Sequence, residues 1–151
     1  MGLDRSASDF WVRIALAVLA LVGIGVTVYL VWERYHGNAP VCAFGGGCAT
    51  VQQSEWSTVA GIPVAFLGLA AYVGLLVCAL VPGQWPALAA VFITLLGVIL
   101  SAYLTYLELF QIHAICEWCV SSAIIVTISL VLAAVRLTLV SREQDAGLPV
   151  G

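Results

Sequence analysis

Cys42 and Cys48 flank the run Ala43-Phe44-Gly45-Gly46-Gly47, and Cys116 and Cys119 flank Glu117-Trp118. Two dithiols with no other catalytic apparatus point to thiol–disulfide exchange, in which a thiolate attacks a disulfide and an electron pair moves. Cys116 and Cys119, spaced i and i+3, share one face of a helix. Where such a pair opens a helix, the unpaired N–H groups and the macrodipole favour the first thiolate. A lowered thiol pKa supplies both a nucleophile and a leaving group. Glu117 opposes that effect by like charge, and Trp118 anchors the turn at the membrane interface. Gly45, Gly46 and Gly47 let the backbone close a small ring and leave the loop mobile. The competing reading for either pair is a static structural staple. The fifth cysteine, Cys78, lies about 15 residues down its span from the outer end, roughly 22 Å at 1.5 Å per residue. A disulfide tolerates a Cα separation of only about 4.4–6.8 Å, so Cys78 is a packing residue.

The elements that position these thiols follow from composition. The 151-residue chain is 63 % hydrophobic and 9 % charged, against roughly 25 % charged in an average soluble protein. Lipid is the solvent that accommodates such a chain. The net charge is −3 and lysine is absent, so there is no basic tract for phosphate contacts and nucleic-acid binding is excluded as a function class. Four stretches approach the roughly 20 apolar residues of a membrane-crossing helix. They lie near Trp11–Trp32, Ile62–Val81, Trp85–Leu109 and Val120–Val140. The expected fold is an all-α membrane protein, a four-transmembrane-helix bundle forming one integral membrane domain over 1–151. The first span is too long for the apolar region of a signal peptide, about 7–15 residues. Pro63 is expected in the first turn of span two, and Pro82-Gly83 is expected to turn spans two and three into a tight hairpin. Arg5, Arg13, Arg136 and Arg142 flank one side of the spans, and Arg34 alone the other. The excess predicts a multi-pass inner or plasma membrane protein with both termini cytoplasmic. The cysteine loop and the Cys-Glu-Trp-Cys motif are then extracytoplasmic, where disulfides persist.

The arrangement resembles bacterial homologues of vitamin K epoxide reductase, over roughly Trp11 to Val140. The resemblance is carried by Cys42 and Cys48, by Gln52-Gln53-Ser54-Glu55-Trp56, by Gly61-Ile62-Pro63-Val64 and by Cys116-Glu117-Trp118-Cys119. DsbB-type proteins share the four spans and two dithiols, but carry the two kinds of pair in the reverse order. The resemblance implies a short interfacial helix after the loop and a quinone, ubiquinone or menaquinone, near the Cys-x-x-Cys motif. It implies that Cys42 exchanges with a thioredoxin-fold (DsbA-like) partner, that Cys48 passes electrons to Cys116, and that Cys119 reduces the quinone. Ser54 matches the family's hydroxyl residue, placed to hydrogen-bond in the relay or to the quinone. Eleven residues follow Val140, so the resemblance is to a stand-alone form whose partner is a separate protein. Ala123 stands where the animal enzymes carry a tyrosine, which argues against vitamin K epoxide as substrate.

A quinone pocket needs apolar walls and a few polar groups. The outer end of span three offers Tyr103, Tyr106 and Glu108, of which Tyr106 and Glu108 join Cys119 as candidate quinone contacts. Against these stands an interfacial carboxylate among belt aromatics. His36 and His113 lie at the same face and are candidates for stabilising a thiolate. Gly23 and Gly25 are expected to allow close helix approach. Two other functions compete with a redox relay: a thiolate metal-binding protein, for which the span interiors lack the polar groups of a transport path, and a structural membrane protein. No metal site is expected.

Overall fold

The computed structural model describes residues 2–147; residues 1 and 148–151 of the expected domain, and the Arg5 side chain, lie outside that description. Four long helices dominate: α1 (Gly2–Tyr35), α3 (Val64–Leu80), α4 (Gln84–Leu107) and α5 (Glu117–Asp145). A short helix, α2 (Gly47–Gln53), and a two-stranded ribbon, β1 (Thr58–Val59) and β2 (Ile62–Pro63), lie between α1 and α3. Helix α1 packs on α3 and α5, and α4 packs on the same two, so the four helices close into a ring. The shared core is small-sided, with Leu16, Ala20, Tyr72, Leu75, Ala79, Ala90 and Ala133 buried together. Small residues let helix backbones approach closely, which is how helices pack in lipid. At Gly23 a Cβ would overlap the Tyr72 ring, whereas nothing lies within 4 Å of one at Gly25. Only the first of the two glycines is required by packing.

Among the described residues, three helical stretches are long and apolar enough to cross a bilayer: Ser6–Tyr35, Gln84–Ile112 and Glu117–Asp145. Helix α3 has 17 residues, about 25 Å at 1.5 Å per residue, shorter than the roughly 30 Å hydrocarbon core. The protein is therefore a membrane helical bundle.

The expected start of span two at Ile62 is corrected by the ribbon. Thr58 pairs with Pro63 and Val59 with Ile62, and the turn residues Ala60 and Gly61 both have positive φ, 52° and 81°. That is the geometry of a two-residue hairpin turn. Pro63 pushes Ile62 away from helical ψ and is itself extended, φ −58° and ψ 132°, so the helix begins at Val64. The far end of α3 follows the expected rule. Val81, before Pro82, is extended, and Gly83 takes φ 118°.

The last carbonyls of α3 have no intrahelical donors, and in lipid water cannot supply them. Two arginines do. Arg13 donates from Nε to Ala79 O at 2.9 Å and from Nη2 to Leu80 O at 2.5 Å. Arg136 is fully buried; it donates to Cys78 O at 2.6 Å and Val81 O at 2.8 Å, and its Nε meets Asp9 Oδ1 at 3.4 Å. Arg13 and Arg136, which the sequence offers only as flanking charges, also terminate the shortest of the four long helices.

Candidate redox site

At the opposite end of the bundle from Arg136, α1 stops in a glycine cap. Gly37, at φ 68°, donates to Arg34 O, and Asn38 donates to Glu33 O, the paired bonds of a Schellman ending. The chain then folds back over the bundle and is held by side chains. The Val41 amide donates to the Tyr29 hydroxyl at 3.1 Å, and Trp118 Nε1 donates to Val41 O at 2.9 Å. The Tyr29 and Trp118 rings lie 4.9 Å apart. Glu117 accepts the Ala43 amide at 3.1 Å and the Phe44 amide as well. The loop is thus clamped to α1 and to the first turn of α5, in place of the mobility expected from its glycines.

Cys42 and Cys48 form a disulfide, with Cα atoms 6.0 Å apart. Gly45 and Gly46 take φ 121° and 70°, backbone that side-chain-bearing residues rarely adopt. Gly47 is needed for a different reason: a Cβ there would overlap the Ile115 backbone. This close approach seats α2 against the link before α5. Cys48, on α2, and Cys116, capping α5, are both fully buried and pack in one cluster with Val51, flanked by Cys42, Trp118 and Cys119. All four cysteines of the two motifs therefore meet at one end of the bundle. Cys78 sits apart in the helix core as a free thiol.

Cys116 and Cys119 are free thiols. Cys116 is the N-cap residue of α5, and its thiol is lowered to about 7. The hydrogen bond with the Cys119 side chain contributes most; burial opposes it, and the Cys119 amide and Gln52 add smaller favourable contributions. The like charge that opposes ionisation comes from Glu108. Glu117, expected in that role, spends its carboxylate on the loop amides. The thiolate of Cys116 should therefore be present above about pH 7 and lost as pH falls through that value, more than a unit below an ordinary thiol at about 8.5. The ultraviolet thiolate absorbance of the protein minus that of Cys116→Ser should titrate with that midpoint. Replacing Gln52 by Ala should move it upward.

A cavity of about 380 Å³ opens beside Cys119, within the roughly 300–1,000 Å³ of small-molecule sites. Leu67, Ile93 and Leu100 contribute to its apolar wall, and Cys119, Glu108, Ser54 and Gln52 are among its polar lining. Glu108 is 3 % exposed, so the interfacial reading of this carboxylate does not hold. Its Oε2 accepts the Cys116 amide at 3.2 Å. Tyr106 does not line the cavity; it is 53 % exposed and packs on Phe110. The reason is angular. Two residues along a helix turn the side chain by about 200°, so a helix that points Glu108 inward points Tyr106 outward. Tyr103 is likewise exposed.

Ser54 stands at the end of α2, where its Oγ donates to Val51 O at 2.7 Å. Arg34 fixes this segment from α1, donating to Gln52 O at 2.7 Å and Ser57 Oγ at 3.0 Å. Gln52 Nε2 donates to Cys119 Sγ at 3.7 Å. Gln52, Arg34 and the clamping role of Glu117 were missed in the sequence. Gln52 carried a signal, since it lies four residues after Cys48 and so on the same face of α2. His36 bonds its own helix at Trp32 O, and His113 is exposed at φ 56°; neither bonds a thiol among the described residues.

A membrane helical bundle that gathers a disulfide and a thiol pair beside a cavity defines a class, the integral membrane thiol oxidoreductases. The sequence profile of the vitamin K epoxide reductase family matches residues 14–134, four-fifths of the chain. The protein belongs to that family, whose members are membrane oxidoreductases that work with quinones and thioredoxin-like partners.

Proposed function

We propose that this protein is a quinone-dependent dithiol oxidase that supports disulfide formation in exported proteins. A separate thioredoxin-fold (DsbA-like) protein delivers an electron pair to Cys42, reducing the loop disulfide. The freed Cys48 thiolate attacks Cys116 of a Cys116–Cys119 disulfide, and Cys42 then resolves the mixed disulfide by attacking Cys48. The helix pair is left as two thiols. In this reading, a disulfide at Cys42–Cys48 with free Cys116 and Cys119 is the state in which the electron pair has reached the inner pair. A quinone in the cavity, ubiquinone or menaquinone, supplies the acceptor of two electrons and two protons. Cys119 faces it, and Ser54 lies in the same wall as a polar contact.

The observation that carries this reading is the packing of Cys48 against Cys116 with Cys119 in the wall of an apolar cavity. The lining fits a quinone: mostly apolar walls with Gln52, Ser54 and Glu108 among the polar groups that join Cys119. The reading includes four membrane spans, with α3 as the short one, both termini cytoplasmic and the cysteines extracytoplasmic. The arginine excess at the terminal side supports that orientation. The test is anaerobic quinone reduction by the purified protein with a reduced thioredoxin-fold donor. One quinone reduced per donor dithiol oxidised is expected; a donor oxidised with no quinone reduced would overturn the reading.

A further inference from the structure

Among the described residues, Glu108 is the one acidic side chain in the cavity wall, and it is 3 % exposed. It sits in a π-helical turn, Glu108–Ile112, between α4 and the link to α5. Both ends of the residue are held. Its backbone oxygen accepts from the amides of His113 and Ala114, and Oε2 accepts the Cys116 amide. The carboxylate lines the same cavity wall as Cys119 and is a hydrogen-bond partner of its thiol. A buried carboxylate held by a backbone amide and hydrogen-bonded to a reacting thiol is arranged to take its proton.

We propose that Glu108 accepts the proton of the Cys119 thiol and delivers it to the nearer oxygen of a quinone in the cavity. This rests on the electron path proposed above and adds its proton path. Two S–H bonds are lost as the Cys116–Cys119 bond forms, and the released electron pair reduces the quinone to hydroquinone, which gains two O–H bonds. One proton travels from Cys119 Sγ through Glu108 to the nearer oxygen, returning Glu108 to the carboxylate. The other leaves Cys116 to the aqueous side, and water supplies its equivalent to the far oxygen. Without an acceptor, Cys119 would have to ionise against an apolar wall, which is costly. The titratable groups bearing on Glu108 are Cys116 from the link and Cys119 from α5. Gln52 and Ser54 from the α2 segment are uncharged, and Tyr72 from α3 is hydrogen-bonded to Ser122.

Glu108→Gln separates this role from a merely structural one, because the amide oxygen still accepts the Cys116 amide. Quinone reduction by the inner dithiol is expected to fall about 100-fold, the low end of general acid–base contributions, and its pH–rate profile should lose the limb that titrates with Glu108. Glu108→Asp should restore part of the rate. Without quinone, exchange between the loop and helix pairs should fall far less than quinone reduction does, and the Cys116 thiolate titration should move to lower pH as the opposing charge is removed. Near wild-type quinone reduction in a Glu108→Gln protein that shows this titration shift would overturn the proposal. A parallel loss of exchange and quinone reduction would also overturn it, by making Glu108 structural. Failure of the underlying electron path is seen separately, as quinone reduction that survives Cys119→Ala.

Discussion

Cys119→Ala should abolish quinone reduction and accumulate a disulfide between Cys48 and Cys116. Without Cys119, Cys116 has no partner with which to form the bond that releases an electron pair into the cavity. Its sulfur remains nucleophilic, although loss of the Cys119 hydrogen bond raises its pKa from about 7. The electrophile within reach is the loop disulfide, because Cys48 packs against Cys116 with both side chains fully buried. Attack at Cys48 forms the Cys48–Cys116 bond and expels Cys42 as the leaving thiolate. Cys42 alone can reverse that step from within the chain, so alkylating it should lock the species. Non-reducing peptide mapping reads the cross-link, and quinone absorbance reads the turnover. The expected loss exceeds 1,000-fold on an order-of-magnitude basis, since nucleophile knockouts remove nearly the whole covalent route. Quinone reduction near the wild-type rate in this variant would remove Cys119 from the terminal step.

The reactive residues could be read from the sequence because their chemistry is local. A Cys-x-x-Cys at a helix start, a glycine-rich cysteine loop, and apolar runs punctuated by Pro82-Gly83 each act through neighbouring backbone. The same locality explains what the sequence conceals. Ile62 and Pro63 sit beside an apolar run and were joined to it, but the positive φ values of Ala60 and Gly61 turn them into a ribbon instead. Tyr106 is close to Glu108 in the chain, but helical rotation sends the two in nearly opposite directions. Glu117 was read against its covalent neighbours, whereas its partners are amides more than seventy positions away. Arg13 and Arg136 were read as topology signals, because nothing local reveals that α3 ends where their guanidiniums can reach. Long-range partners of polar side chains are what a single sequence conceals in a membrane protein, where hydropathy dominates the pattern.

Gly47→Ala should slow electron transfer between the two cysteine pairs by about 100-fold while leaving the loop disulfide able to form. Gly47 opens α2, and nothing about its own dihedrals demands glycine. The constraint is external: a Cβ would overlap the carbonyl and amide of Ile115. Ile115 is backbone in the link that ends at Cys116, and the Cys116 amide is tied to Glu108. The link therefore cannot yield cheaply, and α2 must shift away, taking Cys48 with it. A misplacement of about 1 Å costs on the order of 100-fold where reacting atoms are held for attack. Cys42 stays with the loop clamped to α5, and Gly45 and Gly46 between it and α2 can absorb a small shift, so the Cys42–Cys48 bond should survive. Quench-flow trapping of the Cys48–Cys116 transfer measures the effect, and Gly25→Ala, where no atom lies within 4 Å, should be close to neutral. A Gly47→Ala protein that transfers electrons at the wild-type rate would show that α2 need not sit against the link for the cysteines to react.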